Sequence, residues 1–308
     1  MQFASKFMAV SFCVALAAAV ANAQSCNFVT SGVTMTLAND CVTTTTITIP
    51  DGFTLNGHGH LITAVDPDPN NSVYFSGAVV ANASGASSAN VKNLIIDAPN
   101  LAMDFCAYVE GIAFDSVSGS IQGNTILHVG RSGCGLDPAG IGIQVTDTAA
   151  AKVNVTVAGN KVLAATGLEP AFGVSVQGPP QIWRCTVNVI DNQLNGQLSV
   201  QLANGVISRN FVDSNFVGIE IGYDARGLKV IANNINLTTG NAVVGIQILT
   251  KHAIISGNRV FNFGLNSGTG IVNDGNATNK ITHNQVRCYA IPFAGPVSPD
   301  NVVLPCPW

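Results

Sequence analysis

The sequence predicts an all-β solenoid, and three observations predict it. First, a short unit recurs: Gly, apolar, any residue, apolar. It reads Gly111-Ile-Ala-Phe114, Gly140-Ile-Gly-Ile143, Gly173-Val-Ser-Val176, Gly218-Ile-Glu-Ile221, Gly245-Ile-Gln-Ile248 and Gly270-Ile-Val-Asn273. Second, an alternating apolar run ending in Asn follows each unit, at Gly123-Asn124, Gly159-Asn160, Asp191-Asn192, Arg209-Asn210, Asn233-Asn234, Gly257-Asn258 and His283-Asn284. The period is roughly 20–30 residues, which marks a stack of short structural repeats. Third, charged residues make up only 10% of the chain, which is rich in Gly, Val, Ile, Thr and Asn. That composition suits strands and turns rather than helices.

The first residues stand apart. Lys6 precedes an apolar stretch from Phe7 to Ala21, and Ala21-Asn22-Ala23 is a small-x-small cleavage pattern. Residues 1–23 read as a secretory signal peptide. The stretch is too short for a stable membrane span, and no later segment offers one. The expected product, residues 24–308, is a single exported domain, extracellular or, in a Gram-negative host, periplasmic.

Within it, 24–52 reads as an entry cap. Thr43 to Ile49 alternates like a strand, and Pro50-Asp51-Gly52 is a turn. Residues 292–308 are Pro-rich, lose the repeat and read as a closing tail. Between these, period-two alternation points the first and third residues after each Gly inward: Ile112 and Phe114, Ile141 and Ile143, Val174 and Val176, Ile219 and Ile221, Ile246 and Ile248. The Asn of each pair belongs at a bend, where its side chain bonds to backbone. Loops such as 147–152 and 178–184 vary, and variable loops on a rigid scaffold are where function usually sits.

From Phe53 onward the chain resembles the right-handed parallel β-helix proteins of the pectin-lyase-like group. Leu55 to Ile62 matches their opening segment Leu-x-Gly-x-Gly-x-x-Ile, and the rungs from about Asn90 to Val286 carry the rest of the likeness. The resemblance implies a right-handed parallel β-helix of about eight to ten coils with a cap at each end. It says little of activity, because one fold hosts many chemistries.

Several function classes are disfavoured. The formal net charge is −4, about −5 without Lys6, and no basic stripe for nucleic acid is visible. Cys13 lies in the signal segment. Of the remaining cysteines, Cys26 with Cys41 and Cys288 with Cys306 are the expected disulfides of an exported chain. Cys106 with Cys134 is a further pair, and Cys185 is left over. No CxxC motif suggests zinc or redox chemistry, and no cofactor is implied. Asn-x-Ser/Thr sequons occur at Asn70, Asn82, Asn154, Asn236 and Asn276. They are glycan acceptors in a eukaryotic secretory path and chance matches otherwise.

Stacked coils should bring equivalent residues into ladders about 4.8 Å apart. Two residues after each Gly, the outward positions are Ala113, Gly142, Ser175, Glu220 and Gln247. Four after it they are Asp115, Gln144, Gln177, Gly222, Leu249 and Asp274, with Ser199 and Gln201 from an extra rung at Leu198–Gln201. Gln144, Gln177 and Gln201 should therefore stack, with Asp115 before them and Glu220 beside them. Such a ladder serves either as structure, amide to amide, or as a polar floor for sugar hydroxyls.

Beyond this sheet, Tyr223-Asp224-Ala-Arg226 and Thr250-Lys251-His252 form the densest titratable cluster of the chain. Proton transfer needs such groups within hydrogen-bond reach, and a cation stabilises a carboxylate becoming enolate-like. Polysaccharide lyases and uronate epimerases of similar fold work this way. The resemblance would make Lys251 or His252 the base, Tyr223 the acid and Arg226 the carboxylate neutraliser. The plainer alternative is a set of solvated turn residues. His128 and Arg131 lie in a loop before Cys134. Asp191 and Arg209 hold matching positions in adjacent coils, which suits a structural ion pair. Trp183-Arg184 is a sugar-stacking aromatic with a basic partner, or a lid.

The departures from the group are specific. His58-Gly59-His60 is only superficially similar to the Gly-His-Gly of polygalacturonases, whose Asn-Thr-Asp, Asp-Asp and Arg-Ile-Lys motifs are missing. The Asp-Pro-His-Glu of alginate epimerases, the acidic calcium trio of pectate lyases and the Gly-Asp nonapeptide repeats are missing too. The sequence leaves three functions open. One is a carbohydrate-active enzyme of lyase, epimerase or isomerase type on a uronate-like substrate. Another is a non-catalytic glycan-binding or structural protein. The third is a small-molecule isomerase or cyclase. The partner is a polysaccharide or a small polar molecule in each enzymatic or binding reading.

Overall fold

A computed structural model describes residues 25–99, 101, 109–129, 140–148, 152–163, 172–179, 185–223, 225, 227–238, 244–263, 267–274 and 278–306. Residues 1–24, Cys106, Arg131, Cys134, Trp183, Arg184, Asp224, Arg226 and Asn276 lie outside the described residues.

The chain coils into a parallel β-helix. Each full coil contributes one strand to each of three sheets, as Val109–Asp115, Ser118–Gln122 and Thr125–Leu127 do. Sheet 1 has ten strands, from Ile47–Ile49 to Ile291–Ala294, and carries the Gly units. Sheet 2 has eleven, from Phe28–Ser31 to Lys280–Thr282, and sheet 3 eleven, from Cys41–Thr43 to Val302–Leu304. Among the described strands, Phe28–Ser31 with Thr34–Leu37 is the antiparallel pair. The only helical turn among the described residues is the short 3-10 segment Pro69–Asn71.

The core is three columns of stacked apolar side chains. In sheet 1 the column runs Ile112, Ile143, Val174, Leu198, Ile219, Ile246, Ile271. In sheet 2 it runs Ile121, Val157, Val189, Ile207, Val230, Ile255, Ile281. In sheet 3 it is Ile126, Val162, Leu194, Val212, Ile235, Val260, Val286. All of these are buried. β-branched side chains fit a pleated sheet, and each fully buried one contributes about 1.5–3 kcal/mol.

The turn from sheet 2 to sheet 3 explains the Asn pairs. The residue before each Asn is left-handed, with φ between 56° and 66° at Gly123, Gly159, Asp191, Arg209, Ala232, Gly257 and His283. Gly takes this conformation freely, and the others bear its cost. The Asn that follows is buried and joins a continuous ladder: Asn124, Asn160, Asn192, Asn210, Asn233, Asn258, Asn284. Asn301, inside the Pro-rich 292–308 segment, extends the ladder by one more step. That segment also adds the strands Ile291–Ala294 and Val302–Leu304 to sheets 1 and 3.

Two expectations need correction. The Thr-rich run from Thr43 to Ile49 is not one strand. Cys41–Thr43 belongs to sheet 3 and Ile47–Ile49 to sheet 1. The Thr43 hydroxyl donates to the Thr45 carbonyl and accepts from the Thr45 N–H, turning the chain between them.

The second correction is one of register. Gly140 lies beside Val109, not Gly111, and the residue level with Gly111 is Gly142. A Cβ on Gly111 would stand 2.6 Å from the Gly142 carbonyl oxygen and 2.7 Å from Ile126. On Gly142 it would stand 2.4 Å from Val162 and 2.7 Å from the Gly173 carbonyl oxygen. Gly218, Gly245 and Gly270 repeat this close approach to Ile235, Val260 and Val286. The glycines thus form a column where sheet 1 presses against the sheet 3 core. Ile141 consequently joins the row of Glu110 and Phe172 instead of the row of Ile112.

Candidate functional site

The register fixes which side chains share the outer face of sheet 1. One row reads Ala113, Gln144, Ser175, Ser199, Glu220, Gln247, Val272. The next reads Asp115, Thr146, Gln177, Gln201. On the other side of the Gly column lie Glu110, Ile141, Phe172 and Gln197.

Gln177 and Gln201 are lateral neighbours, as expected. Gln144 does not stack on them. It pairs with Ala113 and Ser175, because the two-residue slip at Gly142 moves it to the other row. Its Oε1 is buried and has no hydrogen-bond partner among the described residues. Glu220 pairs with Ser199 and Gln247 and accepts a short hydrogen bond from the Gln197 side-chain amide. Ser199 is 3% exposed although it faces outward.

Asp115 is exposed and already engaged. Its carboxylate accepts from the hydroxyls of Ser116 at 2.9 Å and of Thr146 and Thr148 at 3.3 Å. Glu110 is different: burial raises its pKa above the ordinary carboxylate value. Sequence reasoning missed Glu110 and Gln197. Glu110 sits immediately before Gly111 and Gln197 immediately before Leu198, where nothing in the pattern marks them.

Of the titratable cluster, Tyr223, Lys251 and His252 fall among the described residues. Tyr223 follows the strand Val217–Ile221 and is 71% exposed. Lys251 and His252 are exposed in the turn after Val244–Ile248, one coil on. The two turns are tied together by a short hydrogen bond from the Thr250 hydroxyl to the Ala225 carbonyl. His252 is left-handed at φ 61°, and its N–H donates to the Thr278 hydroxyl at 3.4 Å. Phe216, at the opposite end of the Glu220 strand, is 65% exposed. It was not singled out in the sequence, because a lone Phe outside the repeat carries no pattern.

Glu110 and Asp115 stand too far from Glu220 to cut a glycosidic bond as a pair with it. Val109–Asp115 and Val217–Ile221 are four strand spacings apart in sheet 1. That separation is about 19 Å, whereas paired hydrolytic carboxylates stand roughly 5–9.5 Å apart. Among the described residues no three His, Cys, Asp or Glu side chains cluster to hold a metal ion.

Other groups have structural partners. Arg209 grips Asp191 with two hydrogen bonds of 2.7 and 2.8 Å, lining a shallow depression of about 460 Å³ with Asn192, Gln193 and Phe211. That ion pair lowers the Asp191 pKa. His128 meets Asp97 at 2.6 Å. Cys26 is bonded to Cys41, and Cys288 to Cys306. Cys185 is a free thiol and buried. No helix among the described residues is long and apolar enough to cross a membrane.

No family model and no curated protein matches the chain. Several solved structures align with it. The periplasmic alginate epimerase AlgG is 13% identical with a TM-score of 0.48, over 87% of this chain and 67% of its own. The A-module of the Azotobacter vinelandii mannuronan C-5 epimerase AlgE6 is 15% identical with a TM-score of 0.40, over 89% and 88%. The Dettilon tailspike protein is 12% identical with a TM-score of 0.49, over 88% of this chain and 55% of its own. At these identities and scores the alignments bear on neither substrate nor site residues, and the fold stands on the sheet topology itself.

Proposed function

We propose that this is an exported glycan-binding β-helix whose outer sheet 1 face is the binding surface. One observation carries the reading: Gln144, Ser175, Glu220 and Gln247 share one outward row, with the buried Ser199 between Ser175 and Glu220. Amide, hydroxyl and carboxylate groups repeating every ~4.8 Å suit the hydroxyls of an extended polar saccharide. Phe216 and Tyr223 stand exposed at the two ends of the Glu220 strand and would stack on sugar rings. Asp115, Gln177 and Gln201 would widen the polar floor. The scarcity of cations among the described residues of this face favours a neutral glycan over a polyanion.

A second reading is proton-transfer chemistry of lyase or epimerase type on a uronate-like sugar. The tied turns of Tyr223 and Lys251–His252 favour it. In that reading Lys251 or His252 is the base, Tyr223 the acid and Arg226 the group that neutralises the sugar carboxylate.

One experiment separates the two. The purified protein is titrated against a panel of neutral and uronic glycans by calorimetry. The same mixtures are followed by ultraviolet absorbance of unsaturated ends and by solvent-deuterium incorporation at the sugar ring. Binding of a neutral glycan without turnover, weakened about tenfold or more by Glu220→Ala, supports the first reading. Absorbance or deuterium uptake lost in Lys251→Ala or His252→Ala supports the second. Binding unaffected by Glu220→Ala and Gln247→Ala would remove the sheet 1 face from both.

A further inference from the structure

We infer that Asn70 and Asn154 are N-glycan acceptor sites, and that Asn82, with the same sequon, is not. The sequence treats the three alike: Asn70-Asn-Ser72, Asn82-Ala-Ser84 and Asn154-Val-Thr156. The fold does not.

Asn154 projects from the strand Val153–Ala158 on the outer face of sheet 2 and is exposed. Its main-chain N–H donates to the Ser118 hydroxyl at 3.1 Å. Its side-chain amide makes no hydrogen bond among the described residues. Asn70 is exposed in the turn Pro69–Asn71. Its neighbour Asn71, not Asn70 itself, bonds to the Asp68 carboxylate. A sugar on either nitrogen would extend into solvent and break nothing.

Asn82 lies at the end of the sheet 1 strand Gly77–Asn82, and its carboxamide joins two coils. Its Nδ2 donates to the carbonyls of Ala83 at 2.9 Å and Asp115 at 3.0 Å. Its Oδ1 accepts from the Asp115 N–H at 2.8 Å. Both amide hydrogens are therefore in use. Glycosylation replaces one of them with a sugar and forces a bulky group between strands.

The reaction is a group transfer from a lipid-linked oligosaccharide diphosphate, supplied with its transferase by a eukaryotic secretory pathway. A bond forms between Asn Nδ2 and the anomeric carbon, and the bond from that carbon to the phosphate oxygen breaks. The lipid diphosphate leaves with the electron pair, and the amide gives up one proton. Asn154 faces away from sheet 1, so its glycan would leave the Gln144–Gln247 row clear. The inference does not depend on what that row binds.

The test is secretion of the full chain from a eukaryotic host. Peptide-N-glycosidase treatment in heavy-oxygen water and peptide mass spectrometry then read each sequon. The expected result is label at Asn70 and Asn154 and none at Asn82. Ser72→Ala and Thr156→Ala should each remove one glycan while the secreted protein keeps its β-sheet circular dichroism. Ser72 is exposed and Thr156 shares the outer face of its strand with Asn154, so these variants should fold even where Asn substitutions fail. An unmodified Asn70 or Asn154 in the secreted chain, or a glycan on Asn82, would overturn the assignment.

Discussion

Asn160 directs both its main-chain N–H and its side-chain amide to a single acceptor, the Oδ1 of Asn192, at 2.9 and 3.0 Å. Asn192 does the same to Asn210 and also donates to the Val157 carbonyl. Every amide in the ladder is thus donor to one coil and acceptor from another. Asn192→Ala would leave the main-chain N–H and the side-chain amide of Asn160 buried without their acceptor. Each such group costs about 1–3 kcal/mol, so the variant should lose about 3 kcal/mol or more in denaturant unfolding. Asn192→Asp keeps the acceptor but loses both donors and buries a charge. Its stability should recover as pH falls and the carboxyl regains a proton. An Asn192→Ala protein as stable as the parent would show that the ladder is not a stabilising element.

The glycine column makes a second prediction. Gly142 is not left-handed, yet an added Cβ meets the Gly173 carbonyl and Val162 at distances no real Cβ shows. Gly142→Ala forces two coils apart and should cost about 3 kcal/mol. Gly159 has φ +63° and open space, with only a backbone nitrogen at 4.0 Å. Gly159→Ala should cost about 1 kcal/mol, from backbone conformation alone. Adding Val162→Ala to Gly142→Ala should relieve only the side-chain part of the clash. Thermal midpoints of the three proteins check the order.

These two columns show what the sequence makes legible. The Asn bends were readable because an Asn recurs at every turn, but the bonding of those amides to one another was not. Nor was the glycine register. Gly140 and Gly142 differ by two positions, and alternation is blind to a slip of two. Only the approach to Val162 selects Gly142, and Val162 comes from another sheet. Gln144 was misplaced for that reason alone. Asn301 was hidden by the surrounding prolines of the 292–308 segment. Tyr223, Lys251 and His252 were visible as a dense cluster. Where their side chains stand relative to one another depends on turn geometry that no repeat encodes.

Glu110 gives a pH dependence with a definite sign. Its folded pKa is raised above the ordinary 4.5 by burial. Below that value the carboxyl is protonated in both states and carries no penalty. As pH rises past it, the unfolded chain ionises first, and folding stability falls until the folded pKa is passed. Glu110→Gln removes the penalty. It should be more stable than the parent at neutral pH and equal to it in acid, below the carboxylate range. Asp51 works in the opposite direction. The N–H groups of Ser88 and Ser87 and the Ser87 hydroxyl hold its pKa down. Its contribution is present at neutral pH and is lost as pH falls below 3.8 toward the folded value. Unfolding curves of Glu110→Gln and Asp51→Asn across acid and neutral pH should therefore diverge from the parent with opposite signs.

Cys185 stands level with Val153 in sheet 2 and is wholly buried. Burial, with the nearby Asp147 carboxylate, pushes its thiol pKa up to about 12. Alkylating reagents attack the thiolate, so the native thiol should be inert at mildly alkaline pH. Peptide mapping after iodoacetamide should find Cys185 unmodified in the folded protein and fully modified in denaturant. Asp147→Asn removes the smaller cause and leaves burial, so the native thiol should stay inert. Cys185→Ser puts a hydroxyl among apolar side chains and should cost about 1–3 kcal/mol. Rapid labelling of Cys185 in the native protein would mean that this coil opens locally, since a closed one offers no thiolate to react.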